Sequence, residues 1–185
     1  AGGAPTEKPV ATADQPALRG IDFEASGGEL VLVCGRVGSG KSSLCSALIG
    51  LLRTSEGGKV ELKGRLAYVP QSSFIMNDTV QGNILFGAPL DAERYARVVT
   101  ACQLDDDIAS LPSGHTTEIG ERGITISGGQ KQRISIARAA YSEASVVLLD
   151  DPLSAMDAHV GGNLFNQCIM KEIAGATRVF CTNQL

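Results

Sequence analysis

Gly35-Arg36-Val37-Gly38-Ser39-Gly40-Lys41-Ser42, held between the apolar run Leu30 to Cys34 and the segment Lys41 to Ile49, decides how this chain is read. The run before it reads as a buried strand, and the segment after it has the spacing of a helix. Between them the residues satisfy G-x-x-x-x-G-K-[ST], a loop that cradles phosphate. Its glycines let the backbone wrap closely enough for N–H groups to point inward. The helix that follows adds its positive N-terminal end to the same anion. Lys41 is placed to reach the β- and γ-phosphates of a nucleotide, and the Ser42 hydroxyl to bind its Mg²⁺. Gly35, Arg36, Val37, Gly38, Ser39, Gly40, Lys41, Ser42 and Ser43 are therefore the candidate nucleotide-binding residues.

Working outward, residues 1–17 are rich in Ala, Gly, Pro and Thr, lack hydrophobic periodicity, and read as a linker or edge segment. From Leu18 the alternation Leu18, Ile21, Phe23 predicts a strand that turns at Gly27-Gly28 into Leu30 to Cys34. Lys59 to Lys63 and Arg65 to Val69 meet at Gly64 as a second expected hairpin. Between about Ser72 and Ser145 the spacing turns helical, at Val80 to Phe86, Ala92 to Cys102 and Ile134 to Tyr141. Strands return at Val146 to Leu149 and Arg178 to Thr182, around a helix from about Ala158 to Lys171.

The expected fold is α/β: a mainly parallel sheet with an N-terminal antiparallel β portion and an inserted α-helical subdomain. Residues 18–185 form one domain in this reading, with the core at 18–71 and 145–185 and the helical subdomain at about 72–144.

Composition narrows the partners. The chain has 185 residues, a formal net charge of -4, 43% hydrophobic and 4% aromatic residues, and no Trp, so an aliphatic core is expected. An acidic balance leaves no electrostatic footprint for nucleic acid. No stretch approaches the roughly 20 apolar residues that span a bilayer, so direct membrane insertion is not expected and a membrane link runs through other polypeptide. Cys34, Cys45, Cys102, Cys168 and Cys181 lack metal-ligand spacing and read as buried reduced thiols. His115 and His159 read as surface or capping residues, and Asp105-Asp106-Asp107 as a helix start with solvated acids.

Val146-Val147-Leu148-Leu149-Asp150 is a buried strand ending in an acid, which brings the Asp150 carboxylate beside the Mg²⁺ position. Ile126-Ser127-Gly128-Gly129-Gln130, immediately before a helix, makes a second ready anion site from a hydroxyl, backbone amides and a helix end. This segment resembles the signature of ATP-binding cassette proteins. Gln71 in Tyr68-Val69-Pro70-Gln71 looks like the family's Q-loop, and Ser154-Ala155-Met156-Asp157 like its D-loop. Asp78 to Gly87, Ala101 to Leu104, Gly120-Glu121-Arg122-Gly123 and Asp150 to His159 resemble the first nucleotide-binding domain of subfamily C. That branch holds the multidrug-resistance-associated exporters, the sulfonylurea receptors and the cystic fibrosis conductance regulator.

The resemblance implies a P-loop NTPase fold and MgATP held between this domain's phosphate loop and the signature of a second, head-to-tail cassette. Ser42, Gln71 and Asp150 are its implied metal residues, and Gln71 with the residue after Asp150 its implied catalytic ones. Transmembrane domains are implied to contact Gln71 to Gly87 and Gly120 to Gly123. The implied location is the cytoplasmic face of a membrane, as part of an integral membrane protein. The family also continues past its last strand, so the chain is expected to stop short of the full domain.

Three departures bear on activity. Asp151 stands where the family has a water-polarising Glu and is one methylene shorter. A misplacement of about 1 Å can cost on the order of 10²-fold in rate. Asn183 falls where a γ-phosphate-contacting His is expected, and Val10 aligns near the place of an adenine-stacking ring. ATP hydrolysis is therefore expected to be weak, coupled to a transporter that is an exporter of subfamily C. The alternatives are an ATP-sensing gate of a channel or receptor type, and a soluble ribosome-linked cassette. A chromosome-type cassette does not fit, because the stretch between Gln71 and Ser127 has no room for a long coiled coil.

Overall fold

The computed structural model describes residues 17–54, 57–121 and 123–183. Four strands, β1 (Leu30–Cys34), β2 (Leu66–Val69), β5 (Val146–Asp150) and β6 (Thr177–Thr182), form one sheet in the order β1-β6-β5-β2. Every pairing in it is parallel, with Val33 opposite Cys181, Leu148 opposite Val179 and Tyr68 opposite Leu148. A parallel sheet must be covered on both faces, and the central strands show it: all five residues of β5 are buried. One face packs helix α1 (Lys41–Leu48) through Cys45, Val146, Leu148, Val179 and Cys181. The other carries the larger core, in which Val147, Leu149 and Phe180 meet the remaining helices.

Those helices are α2 (Val80–Leu85), α3 (Ala92–Ala101), α4 (Asp105–Ser110), α5 (Gly128–Tyr141) and α6 (Ala158–Leu164), the last continuing as π-helix over Phe165–Glu172. The apolar spacing of 80–86, 92–102 and 134–141 thus forms helix as the periodicity predicts. Thr79 caps α2 and Asp91 caps α3, each side chain accepting from a first-turn amide. Arg138 is buried and ties this layer together. Its Nε donates to Asn83 O at 2.8 Å, its Nη2 to Asn83 Oδ1 at 3.1 Å, and its guanidinium lies over the Phe74 and Phe86 rings.

The two expected hairpins are corrected. Among the described residues neither 17–29 nor 57–65 forms a strand, and both expected hairpins are absent. The short antiparallel pair lies elsewhere, between β3 (Asp78–Thr79) and β4 (Glu118–Ile119). Alternation only states which side chains could share a face; a strand also needs a neighbouring backbone to bond. Ile21 and Phe23 remain 54% and 43% exposed, so nothing in the described chain covers that face.

Candidate nucleotide-binding site

A parallel sheet brings all its strand ends to one edge, and the C-terminal edge here collects the candidate residues. Gly35 follows β1, Asn183 follows β6, Asp150 ends β5 with Asp151 next to it, and Gln71 lies two residues past β2. Open α/β sheets bind ligands outside this edge.

The phosphate loop is built on β1 and α1. Gly35 N donates to Thr182 O at 3.2 Å, which fastens the loop's first residue to the end of β6. Gly38 and Gly40 hold φ of 82° and 94°, the left-handed region that side chains resist. A Cβ on Gly35 would lie 2.6 Å from Ser39 Oγ, so a side chain there would have to displace the Ser39 hydroxyl. Lys41 Nζ curls over the loop and donates to Gly35 O at 2.7 Å and Arg36 O at 3.0 Å. Arg36, Val37, Gly38, Ser39 and Ser42 are exposed, and Ser43 is half-buried.

Asp150 and Asp151 are both buried. Tyr68 hydroxyl lies 3.4 Å from Asp150 Oδ2 as a donor, and its own pKa is pushed up to about 12, first by burial and then by the Asp150 charge. Asp151 takes a left-handed φ of 49°, fixed by its N–H on Cys181 O at 2.9 Å and by Ser154 Oγ on its carbonyl. Gln71 Nε2 approaches Asp151 Oδ2 at 3.5 Å, so the structure brings these two candidates together. Asn183 is exposed. Val10 lies outside the described residues.

An oxygen-rich set of hydroxyl, amide and carboxylate groups from Ser42, Gln71 and Asp150 suits Mg²⁺, and an ammonium beside phosphate-directed amides suits a nucleotide. The residues present fit both groups.

At the other anion site Ser127 caps α5 in a full capping box: its Oγ accepts from Gln130 N at 3.2 Å, and Gln130 Oε1 accepts from Ser127 N at 2.8 Å. A Cβ on Gly129 would lie 3.0 Å from Ala155 O, so Gly129 and the Ser154-Ala155-Met156-Asp157 turn are in close approach. Asp157 then caps α6, accepting from His159 N and Val160 N at 3.0 Å, and these bonds hold its carboxyl below the usual range.

Contacts at these sites add to, and in one case correct, what the sequence pattern implies. Asp107 is not a solvated acid: it accepts from Gln130 Nε2 at 3.0 Å and pairs with Arg133. Gln132 Nε2 donates to Pro70 O at 3.2 Å and its Oε1 bonds Ser73, so α5 holds the Gln71 segment directly. Nothing in the local pattern announces such contacts between distant elements. His115 Nδ1 lies 3.0 Å from the Tyr95 hydroxyl and His159 Nε2 3.3 Å from Asn163, surface roles for both. Cys34 is exposed, contrary to expectation, because β1 is an edge strand; the other four cysteines are buried and free. No helix among the described residues is long and apolar enough to cross a membrane.

Comparison with known proteins bears on this geometry. The sequence model of the family described as ABC transporter matches residues 18–154. The ABC transporter C family member 12 of Dictyostelium discoideum is 51% identical over 172 residues, 93% of this chain and 13% of the relative. The human ATP-binding cassette sub-family C member 3 is 52% identical over 170 residues, 91% of this chain and 11% of the relative. Rat ATP-binding cassette sub-family C member 2 is 48% identical over 168 residues, 90% of this chain and 11% of the relative. The chain therefore spans about an eighth or less of the length of these relatives. A chain with its phosphate loop at the sheet's C-terminal edge, matched over most of its length by one family model, belongs to the ABC transporter family, and it is about half identical to these subfamily C relatives.

Proposed function

We propose that the chain is the MgATP-binding cassette of a subfamily C membrane transporter, an exporter, that pairs head to tail with a second cassette and hydrolyses ATP slowly at its own phosphate loop. The observation that carries this is the shared edge: loop, Asp150, Asp151 and Gln71 all stand at the C-terminal ends of adjacent parallel strands. Loop amides and Lys41 bind and orient the phosphates, Lys41 exchanging its two loop carbonyls for phosphate oxygens. Ser42, Gln71 and Asp150 would hold Mg²⁺, which when bound supplies positive charge to the phosphate oxygens. Asp151, oriented by Gln71, holds the water that attacks, and its short side chain places that water poorly. Asn183 offers an uncharged donor toward the γ-phosphate, and Val10 stands in the sequence near the place of the family's adenine-stacking ring.

Ser127, Gly128, Gly129 and Gln130 present a capped, rigid helix start to the partner's nucleotide, and the turn Ser154, Ala155, Met156 and Asp157 beside it joins that interface. The transmembrane face is Gln71 to Gly87, with Gly120 to Gly123 beside it. Phe74 and Phe86 are 52% and 53% exposed there, braced from beneath by Arg138. Exposed rings on a fixed base suit docking to another polypeptide. In this reading the cassette works at the cytoplasmic face of a membrane within a larger protein, without membrane insertion or nucleic acid.

Steady-state ATPase measured on the purified chain tests the reading. Turnover well below 1 s⁻¹ is expected; turnover near the usual enzyme median of about 10 s⁻¹ contradicts slow hydrolysis at this loop.

A further inference from the structure

Behind the phosphate loop, on the α1 face of the sheet, two fully buried thiols meet: Cys45 Sγ of α1 lies 3.6 Å from Cys181 Sγ of β6. A carboxylate oxygen of Asp150, on the neighbouring strand β5, completes a group whose three donor atoms all lie within 4.8 Å of one another. Two sulfurs bound about 2.3 Å from one zinc at the tetrahedral angle stand about 3.8 Å apart, and a sulfur and an oxygen ligand about 3.5 Å apart. The thiol pair already has that spacing. Tyr68 hydroxyl, on Asp150 Oδ2, supplies the outer-shell bond that orients the carboxylate.

We propose that Cys45, Cys181 and Asp150 form a binding site for a thiophilic divalent cation of the Zn²⁺ class, separate from the Mg²⁺ position. Sulfur selects against Mg²⁺, which takes oxygen ligands, so the two ions do not compete for the thiols. They compete for Asp150. Loading releases the two thiol protons to solvent, leaves both sulfurs as thiolates, and fills the fourth tetrahedral position with water. The further consequence, that Zn²⁺ weakens MgATP binding by holding Asp150 back from Mg²⁺, rests on the function proposed above; the site itself does not.

The experiment titrates the reduced chain, free of nucleotide, with Cd²⁺ read by its thiolate charge-transfer absorbance and with Zn²⁺ read against a chromophoric chelator. X-ray absorption is then recorded on the Zn²⁺-loaded wild-type chain. One ion per chain with two sulfur and two lighter scatterers is expected. Cys45→Ser and Cys181→Ser should each weaken binding by more than about 100-fold, since loss of an outer-shell partner alone costs 10–100-fold. Cys34→Ser and Cys102→Ser should leave it unchanged. Unchanged affinity in Cys45→Ser and Cys181→Ser overturns the site, as does an equal loss in Cys102→Ser, or any sulfur count other than two in the wild type. That last measurement needs no variant to fold. MgATP affinity, taken separately with and without one equivalent of Zn²⁺, should fall in the wild type and not in Cys181→Ser. Failure of MgATP binding alone leaves the metal titration standing, and the reverse holds equally.

Discussion

Asp151 sits in the left-handed region at φ 49°, with its carboxylate turned toward Gln71 Nε2, and its side chain is one methylene shorter than Glu. Adding one methylene should restore reach: Asp151→Glu is expected to raise the ATPase rate at least about tenfold, and Asp151→Asn to lower it further, in steady-state assays. A rate unchanged in both would remove Asp151 from the reaction. Arg178 makes a different point at the same scale. Its guanidinium is buried without a carboxylate and donates instead to Ala176 O at 3.0 Å, Ile169 O at 2.8 Å and Gly28 O at 2.5 Å. Those bonds join the π-helical segment, β6 and the turn before β1. Arg178→Ala would leave three carbonyls short of a donor in a buried setting, and should destabilise the chain by about 3 kcal/mol, read as a lower denaturant midpoint at unchanged slope.

Among the elements, α5 joins several distant parts: it begins at Ser127, bonds Pro70 and Ser73 through Gln132, and bonds Asn83 through Arg138. Ser127→Ala removes one arm of its capping box and should cost about 1 kcal/mol in thermal or chemical unfolding, while MgATP affinity at this chain's own loop stays within about twofold. A large loss of that affinity would mean the signature acts on its own chain's nucleotide. Elements bounded by strong local signals were legible in sequence: β1, α1 and β5 are apolar runs or helical spacings closed by glycine or an acid, and β6 is a largely apolar run that starts just after Gly175. The hairpins were not, since Ile21 and Phe23 alternate but Leu18 falls out of their register, and the segment finds no backbone partner. Asp107 was misread for a related reason. Its partners Gln130 and Arg133 come from another helix, and only the folded packing of α4 against α5 brings them within reach. The site at the sheet edge was legible because its residues sit next to strand ends that the sequence marks.

For the whole molecule, parallel order is what turns separate motifs into one site: β1, β6, β5 and β2 lie side by side and point the same way. Each strand brings its terminal residues, and the loop that follows them, to one edge of the sheet. The same order carries Cys181 and Asp150 to adjacent positions and so joins the thiol pair to the carboxylate proposed for Mg²⁺. The account therefore stands on MgATP lying at this edge, against the amides of Gly35 to Ser42 and the ammonium of Lys41. Isothermal titration of the chain and of its Lys41→Ala form with ATP, each in the presence of Mg²⁺, tests this most directly. One site per chain is predicted in the wild type, weakened by at least about tenfold on losing a charge-assisted contact to phosphate. Equal affinity in the two proteins, or no binding by a folded wild-type chain, would contradict it.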